Sequence, residues 1–224
     1  MTPAMKLHHC VGARSFRPLW ALEEIGLPYD LVMLPFPPRA HRKDFFAVNP
    51  LGTIPAFQDG ETRMTESAAI CEYLAARYSP GRLAVGPEEP EYGRYLNGLH
   101  FGEATLTFPQ TLVLRYGRFE PPERRQPQVA EDYARWFLSR LKAFGEVLGG
   151  REVLCAGRFT AADISIGYAL MLAEFVGLGD ALPDFARRYW EGLKARPSYA
   201  RALAAEARAA GEQGVSATPA PLGG

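Results

Sequence analysis

Apolar positions in the first eighty residues change period several times. Met5 to Cys10 and Tyr29 to Leu34 are short, apolar and β-prone, and each reads as a strand. Between them Leu19, Leu22 and Ile25 recur at helical spacing, which predicts a helix over Phe16–Ile25 stopped by Gly26 and Pro28. Pro35, Pro37 and Pro38 mark a loop, and Arg39–Val48 reads as a short helix. Ile54–Gln58 is a strand, Asp59-Gly60 a hairpin turn and Glu61–Met64 the return strand. Thr65–Tyr78 is helical and ends at Ser79-Pro80-Gly81. The order β-α-β-α-β-β-α predicts a small mixed sheet covered by helices, a domain over residues 5–80.

Beyond a linker at residues 81–91 the strand signals nearly vanish. Tyr92–Leu114 carries a loose apolar pattern interrupted by Pro109. Across Glu123–Leu148, Tyr133, Trp136, Phe137, Arg140, Leu141, Phe144 and Leu148 form one stripe of an amphipathic helix. Thr160-Ala-Ala-Asp163 has the spacing of a capping box, with Asp in place of the usual Glu or Gln, ahead of Ile164, Tyr168 and Met171. Pro183 and Pro197 each stand near the start of another short helix. Residues 92–210 therefore read as an all-α domain. The tail GEQGVSATPAPLGG, residues 211–224, has little to bury and is expected to be disordered.

Composition narrows the function. With 25 basic and 25 acidic residues the formal charge is zero, so no long-range field gathers nucleic acid or an anionic membrane. No apolar run approaches the roughly 20 residues of a membrane helix. The N-terminus lacks the apolar segment of a signal peptide, and residues 1–4 read as a short extension. Cys10, Cys71 and Cys155 are far apart, which predicts neither a disulfide framework nor a metal site. A reduced, cytoplasmic setting is expected.

The segment NPLGTIPAFQDGETRMTESAAI holds the candidate chemistry. Proline costs a ladder hydrogen bond, so Pro55 belongs at a strand start or edge. Read alone, Ile54-Pro55 fits either a trans bond at a strand start or a cis turn exposing a strand edge to an extended peptide. A helix opening at Glu66-Ser67 offers unpaired N–H groups, a hydroxyl and a carboxylate, which suit the two charges of an α-amino-acid head. The plain alternative is that Thr65 caps the helix and Glu66 only complements its dipole.

The run NPLGTIPAFQDGETRMTESAAICEYLAARY resembles the glutathione-binding half of cytosolic glutathione transferases. RSFRPLWALEEIGLPYD is similar to bacterial members with an RSxRxLWxLEELGLPYE run, and FTAADISI fits the family's capping segment. The likeness spans about residues 5–205. It implies a thioredoxin-like domain followed by a helical one, a homodimer, and detoxification by conjugating the glutathione thiolate to a hydrophobic, electrophilic small molecule. It implies glutathione as co-substrate and no metal. Ile54 and cis-Pro55 would meet the cysteinyl part, Glu66 and Ser67 the γ-glutamyl head, and one of His41, Arg42 or Lys43 the glycyl carboxylate.

The thiol-activating position departs from the family. Alignment puts Gly12, Ala13, Arg14 and Ser15 in that window, where relatives carry a hydroxyl or thiol. Ser15 is the surviving hydroxyl, which leaves it and Arg14 as the catalytic candidates. A free thiol has a pKa near 8.5, and each unit of lowering needs about 1.4 kcal/mol. One or two charged hydrogen bonds of roughly 1.5–3 kcal/mol suffice. Ser15 could equally be the N-cap of its helix. Arg17 reads as a structural ion-pair partner. The acceptor site is expected to draw on Tyr95, His100, Phe101 and Tyr116, with Glu103 and Thr105 as further candidates. Two alternatives stay open: a non-catalytic ligand- or protein-binding module, and a glutathione-dependent isomerase, which the Gly12-Ala13-Arg14 sequence disfavours. A missing CPF motif disfavours thiol–disulfide exchange.

Overall fold

The computed structural model describes residues 5–222, so the expected extension over residues 1–4 and the last two tail residues lie outside it. Contacts divide the chain into two compact units. One runs up to Pro80 and resumes from Ala195; the other is Gly81–Lys194. The expectation had placed 92–210 together, whereas the last long helix groups with the first unit.

In the first unit, strands β1 (Met5–His9), β2 (Tyr29–Met33), β3 (Ala56–Asp59) and β4 (Thr62–Met64) form a sheet of order β2-β1-β3-β4. β1 runs parallel to β2, with Leu7 opposite Leu31, and antiparallel to β3, with Leu7 opposite Phe57. The crossover between the parallel pair is helix α1 (Phe16–Ile25), as a parallel connection requires. Phe16, Leu19, Trp20 and Leu22 of α1 are completely buried, and the helix packs on its neighbouring helices as well as on β1. Gly26 ends it in the left-handed conformation at φ 81°, a position that favours glycine.

Arg39–Val48 differs from the single helix expected. Helix α2 (Pro38–His41) stops at Arg42, whose φ of −135° is extended, and a separate 3-10 turn covers Lys43–Ala47. The break turns Phe45 inward, to 2% exposure. Helix α3 (Ser67–Tyr78) follows the hairpin.

The second unit is helical. α4 (Tyr92–His100) continues through a π-helical stretch at Phe101–Thr107 into α5 (Phe108–Leu114) and a second π-helical stretch at Arg115–Phe119. Pro109, expected to interrupt this run, does not. It falls in the first turn of α5, and neighbouring side chains take up carbonyls around it: Thr107 Oγ1 donates to Gly102 O and Gln110 Nε2 to Leu106 O. α6 (Pro127–Leu148) buries Phe137, Leu141, Phe144 and Leu148. Trp136 of the expected stripe stays 43% exposed, stacked on Tyr133 with Arg140 over its ring.

α7 (Ala161–Phe175) is buried over nearly its whole length. The expected capping box is present: Thr160 N–H donates to Asp163 Oδ2 at 2.8 Å. α8 (Asp184–Lys194) packs on α7 and gives Asp163 the Tyr189 hydroxyl at 2.7 Å. Linker residues Leu83, Ala84 and Val85 are buried, with Ala161 N–H donating to Leu83 O at 2.9 Å.

α9 (Pro197–Glu212) closes the first unit. Trp20 Nε1 donates to Ser198 Oγ at 3.0 Å, Tyr199 lies edge-on to Trp20, and the Arg196 guanidinium grips Glu24 at 2.6 Å. Glu24 is largely shielded from solvent and Arg196 only partly, a setting in which an ion pair is worth about 1 kcal/mol.

Candidate functional site

Three pieces of the first unit carry the expected site residues: the loop after β1, the residues before β3, and the start of α3. The Ile54–Pro55 bond is cis. β3 pairing begins only at Ala56, so Ile54 stands outside the ladder and is half-buried. Asn49, 1% exposed, organises the approach. Its carbonyl oxygen accepts from Leu51 N–H at 3.0 Å and its amide donates to Thr53 O at 2.7 Å. Gly52 has φ 62°, and a Cβ there would meet the Phe46 ring at 2.8 Å. Glycine is thus required by conformation and by space.

Glu66, not Thr65, is the residue preceding α3, with an exposed side chain that makes no cap hydrogen bond. The first-turn N–H groups are therefore uncapped by a side chain, at the positive end of the helix dipole. Ser67 is buried, and its Oγ accepts from Arg17 Nη1 at 3.1 Å. A hydroxyl has one proton to give. Because Ser67 receives from Arg17, its own O–H is free to be donated to an anion at the helix start. Arg17 is completely buried, so its charge acts here with little screening. The structure thus gives Arg17 a role at this helix start that the sequence reading had not assigned.

The loop after β1 turns at Gly12, φ 65°. Glu206 of α9 holds that turn: its Oε2 accepts from Gly12 N–H at 3.1 Å and from His9 Nε2 at 2.9 Å. His9 is completely buried. Ser15 is also completely buried, and its Oγ accepts from Cys10 N–H at 3.3 Å. The expected N-cap role is not what this hydroxyl does, since it makes no cap bond. It ties the loop to itself. Ala13 N–H is committed to Cys10 O at 3.1 Å, while Arg14 is half-buried. Burial pushes the Cys10 thiol up to about 12, so it stays protonated and unreactive at neutral pH.

Other expected contacts lie elsewhere. Arg42 is exposed and grips Asp44 with two hydrogen bonds, 2.9 and 2.7 Å, which hold the Asp44 carboxyl below its ordinary range. Lys43 Nζ donates to Arg39 O at 2.7 Å, and His41 is exposed. In the second unit Tyr95 is 1% exposed, a core residue rather than a wall of an open site. Phe101 stacks on Phe144 at 5.8 Å. His100 is exposed, Glu103, Thr105 and Tyr116 are half-buried, and Arg115 lies over the Tyr116 ring. Among the described residues no His, Cys, Asp and Glu gather into a metal-binding group, and no helix is long and apolar enough to cross a membrane.

The first unit is thus a mixed four-stranded sheet with its helices, and the second unit is helical. A family model described as the glutathione S-transferase N-terminal domain matches residues 13–77. Glutathione S-transferase 4 of Zea mays is 32% identical over 209 residues, covering 88% of this chain and 91% of that protein. Glutathione S-transferase GstA of Escherichia coli O157:H7 is 30% identical over 213 residues, covering 90% and 98%. Among solved structures, the glutathione transferase URE2P6 from Phanerochaete chrysosporium, crystallised with oxidized glutathione, superposes at a TM-score of 0.79. It is 25% identical, over 92% of this chain and 97% of that one. The chain belongs to the glutathione S-transferase family, and its N-terminal sheet region, which ends near residue 80, is the thioredoxin-like domain of that family.

Proposed function

We propose that the chain binds glutathione at the start of α3 and conjugates its thiolate to a hydrophobic, electrophilic small molecule. The carrying observation is the Arg17–Ser67 hydrogen bond beneath an uncapped helix start. It leaves a polarised hydroxyl and helix N–H groups for the γ-glutamyl carboxylate, and the exposed Glu66 for the ammonium. Ile54, outside the ladder beside Pro55, offers its backbone to the cysteinyl residue. For the glycyl carboxylate the candidates are His41, Arg42 and Lys43; Arg42 would first share its charge with Asp44.

Thiolate stabilisation falls to Arg14 and the N-terminus of α1, with Ser15 in support. The hydroxyl of Ser15 is buried under the loop, so its contribution is to hold Arg14 and Ala13 in place. The electrophile subsite draws on His100 and Tyr116 rather than on Tyr95 or Phe101. Exposed Phe36, Phe46, Val48 and Leu51, all within one short segment, suit the apolar contact of a homodimer. The three free cysteines fit a reduced cytoplasmic setting and a role in detoxification.

The burial of Ser15 favours a second reading, a non-catalytic glutathione-binding module. Calorimetric titration with glutathione, paired with the ultraviolet absorbance of the bound thiolate at neutral pH, separates the two. An enzyme shows binding and thiolate; a module shows binding alone. Ser15→Ala refines the assignment: it is expected to change glutathione affinity little, and a large fall in turnover would bring the hydroxyl itself to the sulfur.

A further inference from the structure

Residues 213–222 of the C-terminal tail lie against the first unit. Gln213, the residue after α9, lays its side-chain amide along the free edge of β2: Oε1 accepts from Met33 N–H at 2.8 Å and Nε2 donates to Leu31 O at 2.8 Å. The amide acts as a short extra strand on that edge. Val215 then packs against Val11, Met33, Ala209 and Ala210. Further along, Ala220 N–H donates to Val11 O at 2.7 Å, and Leu222 N–H closes a turn on Pro219 O at 2.8 Å. The Ala220 methyl is 5% exposed. It sits in one apolar cluster with Cys10, Ala13, Leu34, Phe45 and Ala56, against which Ile54 also packs.

That cluster contains Ala13 and Ile54, on either side of the place where the proposed function puts the cysteinyl residue of glutathione. We infer that the segment from Val215 to Leu222 is a displaceable strap over this subsite, which must lift before glutathione can lie along Ile54; the inference rests on the glutathione reading of that site. The strap is built to move. Between Val215 and Leu222 it carries no charged side chain, a small methyl is among its buried groups, and Ala220 N–H donates to Val11 O across the site. Its root at Gln213 stays pinned by two bonds on the strand edge, so the tip can peel away and return. A closed strap lowers the apparent affinity for glutathione by the fraction of molecules that are open.

Two measurements on the full chain test this. In the unaltered protein, hydrogen exchange of peptides covering residues 215–222 is followed with and without saturating glutathione. Faster exchange in the bound form is expected, and slower or unchanged exchange overturns the strap. In Ala220→Asp, a carboxylate at the buried methyl position favours the open form, and the dissociation constant for glutathione is expected to fall by roughly threefold or more. Equal or weaker binding by this variant overturns the strap but leaves the glutathione site standing. Absence of binding by both chains overturns the glutathione reading and the strap with it.

Discussion

Helices α3 and α7 both begin after a residue in extended conformation, Glu66 with ψ 115° and Thr160 with ψ 172°, and their first turns are satisfied in opposite ways. At α7 the chain closes the end itself. The buried Asp163 carboxylate accepts from the N–H groups of Thr160 and Leu154 and from the hydroxyls of Thr160 and Tyr189. Desolvation nevertheless raises its pKa, the mark of a carboxylate held by dipoles and not by a cation. At α3 no side chain caps the first turn, Glu66 projects into solvent, and a buried arginine sits behind the helix's first serine. Unmet donors beside a hidden cation are tolerable where an anion or water can reach them and costly where neither can. One helix start is therefore closed by the fold itself, and the other is the one on which the proposed glutathione site rests.

Breaking the closed end has the largest expected effect. Asp163→Ala leaves several buried neutral donors unmet and is expected to destabilise the protein by about 2–4 kcal/mol, read by chemical denaturation. A loss below about 1 kcal/mol would mean that water enters and replaces the carboxylate.

The open end responds more in binding than in stability. Ser67→Ala is expected to weaken glutathione by about 10- to 100-fold, the equivalent of about 1.5–3 kcal/mol for a hydrogen bond to a charged group. Its unfolding free energy should fall less than that of Asp163→Ala, by about 1–2 kcal/mol, because the buried Arg17 loses one acceptor. Calorimetric titration and denaturation of the same sample give both numbers, and the reverse ordering would dissolve the distinction between the two helix starts.

The smallest effect comes from making the open end resemble the closed one. In Glu66→Asp the shorter carboxylate can reach back to the α3 N–H groups as a side-chain cap. This is expected to stabilise the fold by about 0.5–1 kcal/mol and to weaken glutathione severalfold, because cap and ligand compete for the same donors. A variant that gains stability and keeps full affinity would place the ligand carboxylate elsewhere.

Much of this was legible along the chain. The bounds of α1 follow from Leu19, Leu22 and Ile25 and the Gly26 stop, and the hairpin itself was signalled by Asp59-Gly60, because period and turn chemistry are local properties. Its turn residues are nonetheless Gly60 and Glu61, with Asp59 in β3 paired to Thr62 and the return strand starting at Thr62 rather than Glu61. Thr160 and Asp163 announced their capping box for the same reason. Pro55 and Ser67 drew attention because each breaks or decorates a local rule. The helix expected over Arg39–Val48 came out broken, since the burial of Phe45 outweighs helical continuity there.

The amino-acid order by itself thus determined which segments become strand or helix, and where a helix start was left chemically open. Tertiary structure alone decided what stands behind that opening. Arg17 meets Ser67 across 50 positions, Glu206 reaches Gly12 across 194, and Gln213 reaches Met33 across 180. It likewise buried Ser15 and Tyr95, joined α9 to the first unit, and laid a seemingly featureless tail against Ala13 and Ile54. Hydrogen-bond partners and burial depend on which distant surfaces are brought together, and no local period or propensity encodes that choice.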